Sequence, residues 1–318
     1  RDRSVSRGLG DVYKRQECSN VWRKENREVH KFLRAIGFSD ITKKDLEMIL
    51  DEVITRPEIM KITKDSEGNE FAELSGSFAA NAGITVRGTY QEDDSFHMDY
   101  YYPYVFGTSI TTNEQIDVEK HAEKESYAGV CDEVNLGVTL IFYIQNVADY
   151  LAETNRHLSK IHYGAMLAGL STEGKILCPV VERKKNDVPA IQKNDRHNQL
   201  IAQAREGDED AIESLTLEDM DTYALLSQRV MKEDIFSIVK STFMPFGIES
   251  DQYTVLGEII DCVTMENKLT HEKLYGMKLL CNNIQFDVCI NEKDLLGEPA
   301  IGRRFRGNVW MQGNLCLE

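Results

Sequence analysis

Two short runs of alternating His and carboxylate residues carry the side chains best suited to chemistry. His97 and Asp99 are two apart, as are Asp117, Glu119 and His121, with Asp93, Asp94, Glu123 and Glu125 close by in sequence. Side chains two apart on a strand share a face, so each run can point its groups the same way. Two such strands side by side would converge His97, Asp99, Asp117 and His121 on a divalent metal or an acid–base site. That is the chemistry of a metal-dependent hydrolase. The competing reading is a solvated face of an acidic protein, because no recognised metal-ligand spacing is present.

A second group is Arg303, Arg304, Arg306 and Trp310. Arg304 and Arg306 share a face and could bind a phosphate or carboxylate, or a partner's anionic group. Trp310 could stack a base, as single-strand-binding barrels do. Against this, three arginines and one aromatic are a thin nucleic-acid footprint. Arginines paired at a rim and a core Trp explain the same residues. The run Tyr100-Tyr101-Tyr102-Pro103-Tyr104 reads as packing with hydroxyl hydrogen bonds. There is no GxSxG, Walker loop, HExxH or GxGxxG, so no cofactor is expected.

The elements that must position these groups are β-rich. Phe32, Leu33 and Ile36 mark a short helix closed by Gly37. Thr42 and Asp45 form a capping-box signal ahead of the stripe Leu46, Ile49, Leu50 and Val53. From Glu58 the period becomes two. Hairpins are expected across Asp65–Asn69, across Glu92–Ser95 and across Ser171–Gly174. The polar stretch Glu182–Asp195 reads as a linker. Helices are expected over 196–205, 209–215 and 217–229, the last behind a Thr216/Asp219 cap. Four further strands end in the Gly-rich segment Gly297–Gly313, whose glycines suit the bends of a small barrel.

The two halves also echo each other. Ile84–Gly88 matches Tyr253–Gly257, and Tyr143-Ile144-Gln145 matches Trp310-Met311-Gln312, at offsets of 169 and 167. Two readings stay open: an internal duplication, or strand–Gly–strand grammar common to any β-rich chain. The expected fold is α+β. A leader at 1–28 precedes an N-terminal α+β domain over 29–182. A linker and helical connector over 183–233 leads to a C-terminal small, OB-like barrel over 234–318.

Composition narrows the function classes. The 318 residues hold 37 Lys/Arg and 53 Asp/Glu, with 42% hydrophobic content. Residues 1–28 carry eight basic and five acidic side chains. The other 290 carry 29 and 48, a net charge of −19. Such a body repels nucleic acid and anionic membrane unless a basic patch overrides it. No run of eighteen apolar residues exists, so no transmembrane helix is expected. Seven scattered cysteines without a CxxC pair read as reduced thiols in a cytoplasm.

Several blocks together resemble a known family. They are His30–Ile41, Asp94–Gly107, His121–Glu133, Arg205–Tyr223, Phe243–Gly257 and Gly297–Gly313. They are similar to an uncharacterised bacterial domain of unknown function from anaerobic Gram-positive bacteria, over Val29 to the C-terminus. The resemblance implies a cytoplasmic bacterial protein and brings no activity, ligand or catalytic residue. Asp11–Gln16 (DVYKRQ) resembles the translation of a sequencing-library adapter, so 1–16 read as a scar and 1–28 as a non-native or disordered leader. The function expected is a non-catalytic cytoplasmic binding or scaffold protein with a protein or small-molecule partner. The metal-dependent hydrolase is the alternative, and nucleic-acid binding through Arg303–Trp310 is a weaker one. Translation is expected to start at Val29 from a non-AUG codon. Sequencing the genomic locus checks this, and a continuous frame running well upstream of Val29 would refute it.

Overall fold

The computed structural model describes residues 29–120, 124–155, 162–180, 200–201, 203, 208, 210–216, 239–248 and 250–317. Its first element is a 3-10 helix, Lys31–Ile36. The His30 ring accepts the Phe32 N–H at its start, and Gly37 closes it at φ 94°. That left-handed conformation favours glycine. Helix α1 (Lys43–Thr55) follows behind the expected capping box. Thr42 Oγ1 accepts from Asp45 N at 3.2 Å, and Asp45 Oδ2 accepts from Thr42 N at 3.4 Å. Leu46, Leu50 and Val53 form its buried stripe, and it ends before Pro57.

Strands β1 (Ile59–Lys64), β2 (Glu70–Ala79), β3 (Ala82–Tyr90) and β4 (Phe96–Val105) form an antiparallel meander. β2 and β3 are buried almost throughout, which a two-faced burial explains. The β2 face carrying Gly76 lies against Val53 of α1. The opposite face, carrying Phe71 and Glu73, turns to the second sheet. β4 carries a bulge, since Arg87 pairs with Tyr100 while Gly88 pairs with Met98. The extra residue is Asp99.

The second sheet contains β5 (Thr112–Lys120), β6 (Tyr127–Glu133), β7 (Val138–Ile144) and β8 (His162–Leu177), with helix α2 (Val147–Asn155) before β8. It continues with β9 (Thr242–Pro245), β10 (Gln252–Glu266), β11 (Lys273–Cys281), β12 (Ile284–Asn291), β13 (Leu295–Leu296) and β14 (Arg304–Leu315). A second 3-10 helix, Glu292–Asp294, precedes β13.

β8 and β14 pair antiparallel along their length, from Leu177/Arg304 to Ala165/Leu315. They close two cycles of hydrogen-bonded strands. One runs β8–β5–β6–β7–β14, the other β14–β10–β11–β12–β8. The cycles share one grammar. An antiparallel three-strand meander is followed by a helix and then a long strand. That long strand pairs antiparallel with the meander's first strand. The meander's third strand pairs parallel with the other half's long strand. Thus β5, β6, β7 and β8 correspond to β10, β11, β12 and β14.

Three expectations change form. Ser171–Gly174 is not a turn, because β8 runs through it as one sixteen-residue strand. Glu173 pairs with Asn308 and Ser171 with Val309, so Thr172 is a bulge residue. β12, β13 and β14 supply hydrogen-bond partners along it, and this outweighs the turn propensity of Ser-Thr-Glu-Gly. Next, the C-terminal strands do not close on themselves, since β8 from the N-terminal half completes their cycle. Last, the segments matched by sequence are not topological equivalents. Ile84 lies in the four-stranded sheet and Tyr253 in the other. Tyr143–Gln145 and Trp310–Gln312 instead lie side by side, with Gln312 opposite Tyr143 and Gln145 Nε2 donating to Gln312 Oε1 at 2.8 Å.

Two cores result. One lies within the shared-strand cycles around Phe142, Leu140, Tyr253, Phe286 and Phe305. The other lies where α1 and the 3-10 helix meet both sheets, around Leu33, Ile36, Leu74, Val86 and Trp310. Asp208 accepts from Asp210 N and Ala211 N ahead of helical residues 210–216, as expected. The helices expected at 217–229 and most of 196–205 lie outside the described residues. At Gly88 an added Cβ would collide with the His97 backbone carbonyl oxygen. Gly88→Ala is expected to cost about 1–3 kcal/mol, as overpacking does, read as a lower midpoint in urea unfolding.

Candidate functional site

Both sequence candidates can be placed. His97 and Asp99 lie 3.7 Å apart on β4, with His97 exposed and Asp99 half-buried. Burial pushes the Asp99 carboxyl up, opposed by His97 and Lys124. Asp117 is exposed on β5, within reach of Gln115 Nε2 at 3.4 Å. β4 and β5 belong to different sheets and share no hydrogen-bonded pairing. His121 lies outside the described residues. Among the described residues no group of three or more His, Cys, Asp or Glu could hold a metal ion.

The arginines are engaged locally. Arg303 Nη1 donates to Glu298 O at 2.7 Å. Arg304 is buried and donates to Cys178 O at 2.9 Å and Val239 O at 2.6 Å. Arg306 is exposed on β14 opposite Lys175. Trp310 is 6% exposed, stacks on Phe32 with centroids 5.2 Å apart, and donates Nε1–H to Asp251 at 2.7 Å. His30 covers it further, at 5.1 Å. Its ring therefore presents no open face to a base.

The largest buried charge was not anticipated. Arg87 is fully buried, and its cross-strand partner is Glu73. Nε and Nη2 reach Glu73 Oε2 at 2.9 and 2.8 Å, the geometry of an ion pair. Nη1 donates to the hydroxyls of Tyr100 and Tyr143, and Nη2 to the Tyr102 hydroxyl and to the carbonyls of Ile144 and Gln145. Six acceptors thus share the five guanidinium donors. Burial pushes the Glu73 carboxyl up, and the Arg87 charge works against that. With every donor taken, the cluster holds β2, β3 and β4 to the end of β7 rather than binding a ligand. Opposite charges in the otherwise apolar strands FAELSG and ITVRG, placed symmetrically about one hairpin, were the sequence signal for it.

Among the described residues, one groove open to a ligand lies beside α1, with a volume of about 380 Å³. Phe38, Ile41, Met48, Ile49 and Leu269 give it an apolar lining, and Asp40, Asp45, Glu52 and Glu272 surround them. Its far wall, the β10–β11 turn, is firmly docked. Asn267 Nδ2 donates to Ile36 O at 2.7 Å, and Thr270 Oγ1 to Gly37 O at 2.6 Å. Glu272 accepts from Ser39 Oγ, Asn291 Nδ2 and Lys293 Nζ at 2.7, 2.6 and 2.6 Å. Burial would raise its carboxyl, but the bonds from Lys293, Ser39 and Asn291 hold it below the usual range. Sequence patterning cannot reveal this groove, because Leu269 and Met48 come to line one groove only after the chain has folded.

A family model described as a domain of unknown function, E. rectale gene description (DUF3881), matches residues 33–313. The chain belongs to this family. No curated protein and no solved structure matches it significantly. Among the described residues no helix is long and apolar enough to cross a membrane. Membership of DUF3881 assigns no reaction, so the geometry carries the functional reading.

The buried pair sets a stability test. Arg87→Met alone leaves Glu73 buried without its partner and is expected to cost about 3–5 kcal/mol. Adding Glu73→Leu should recover a substantial part of that loss. Urea unfolding of the two single variants and the double variant measures the coupling.

Proposed function

We propose that the chain is a non-catalytic binding or scaffold protein of the cytoplasm, and that its contact surface is the groove between α1 and the β10–β11 turn. The observation that carries this is the pair of large apolar side chains left to solvent in a concave place. Met48 is 55% exposed and Leu269 50% exposed, and both line the same groove. Scattered exposed apolar residues need no explanation, but apolar residues gathered in one groove mark a contact site. The wall that holds Leu269 is fastened by Asn267, Thr270 and Glu272, which gives a rigid, preformed surface.

Each shared-strand cycle is read as a small barrel of OB-like connectivity, and the two as products of internal duplication. This reading is supported by the common order of meander, helix and long strand, and by the parallel pairing of each third strand with a shared strand. On this reading the barrels are the scaffold, and the N-terminal helices complete the binding surface.

Met48→Glu/Leu269→Glu places charge in the groove at exposed positions, so folding should be unchanged. Crosslinking with mass spectrometry is expected to show partners of the unaltered chain that are lost in this variant. They should be kept by Ile301→Glu, an exposed apolar residue outside the groove. Equal capture by all three proteins would overturn the assignment.

A further inference from the structure

We infer that the groove takes an amphipathic helical segment of a protein partner, with Lys or Arg at i and i+7 flanking apolar residues at i+3 and i+4. This rests on the binding reading above and adds the chemistry of the partner. The wall formed by α1 presents Asp45, Met48, Ile49 and Glu52. These positions are i, i+3, i+4 and i+7, one face of a helix. The face is therefore acid, apolar, apolar, acid. At about 1.5 Å per residue the two carboxylates are separated by roughly 10 Å along the axis. A second helix lying antiparallel along α1 meets that stripe best with the same spacing and the opposite charge.

The charge order of α1 is an independent indication. Lys43 and Lys44 occupy its first turn, Asp51 and Glu52 lie at its other end, and no basic residue sits in the last turn. Asp45 in the first turn suits the helix macrodipole, whereas Asp51 and Glu52 at the other end do not. An acid kept where the helix itself is disfavoured by it suits recognition of a cation. Asp40 adds a carboxylate on the opposite rim, with its side chain 87% exposed and 3.7 Å from Lys293, whose shorter bond goes to Glu272. The net charge of −19 beyond residue 28 acts in the same direction, favouring approach of a basic partner.

The test uses the full chain with methyl-labelled methionine, the Met48 signal being identified by Met48→Leu. The probe is a fluorescent alanine-rich helical peptide with Lys at i and i+7 and Leu at i+3 and i+4. Its control carries Glu in place of Lys. The Lys probe is expected to shift the Met48 methyl signal. Glu52→Gln, at an exposed position, should weaken its anisotropy-measured affinity about two- to threefold, as loss of one of the two surface charge pairs implies, Asp45 being kept because it caps α1. If the Glu control shifts Met48 as strongly, the partner class is wrong while the groove stands. If the Lys probe binds and Met48 does not move, the attraction is a general effect of the acidic surface and the inference falls. If neither probe moves Met48 but Met48→Glu/Leu269→Glu still abolishes partner capture, the inference falls and the binding reading survives.

Discussion

A guanidinium removed from water must find an acceptor for each of its donors, and this constraint at Arg87 organises the molecule. The Glu73 carboxylate, three tyrosine hydroxyls and two backbone carbonyls meet it. These acceptors come from β2, β4, β7 and the residue that follows β7. No one strand could supply them, so satisfying Arg87 requires the four-stranded sheet to sit against the shared-strand sheet. The β4 bulge at Asp99 belongs to the same requirement, since it brings Tyr100 opposite Arg87. A buried charge of this kind adds little net stability, because desolvation offsets most of the attraction. What it supplies is one allowed arrangement of the two sheets.

Beyond that clasp, the fold depends on two long strands used twice. β8 and β14 each serve both cycles, so neither half of the chain can complete its hydrogen bonding alone. Gln145 and Gln312 seal the junction, with Gln145 also donating to Val105 O and Gln312 to Pro103 O. β4 is thereby tied to the place where β7 meets β14. Stability and shape come from this interior. The groove beside α1 lies outside it, on a turn docked by Asn267 and Thr270. On the binding reading proposed above, the apolar, acid-rimmed groove at the margin of this interior is the contact surface.

Much of the local structure was legible. The Thr42/Asp45 box, the stop at Gly37 and the period-two hairpins up to β4 all appear as read. Each rests on contacts within a few residues, which local sequence encodes directly. The turn at Ser171–Gly174 failed for the same reason in reverse, because its local propensity was outweighed by hydrogen bonds from distant strands. The candidate site was less legible. His97 and Asp99 do meet, but Asp117 lies in another sheet. Trp310, for which a core position and a base-stacking role were both open, is covered by Phe32 and His30.

The sequence by itself determined the N-terminal helices and hairpins, their caps, the acidic body and the family blocks, because periodicity and charge need no partner to be read. Tertiary structure alone decided which strands pair, that β8 and β14 are shared, that Arg87 is buried with Glu73, and that Met48 and Leu269 line one groove. The physical reason is range. Hydrogen bonds between strands look alike from sequence whichever strands make them, and only the joint requirement to bury apolar faces and satisfy every buried donor selects one pairing.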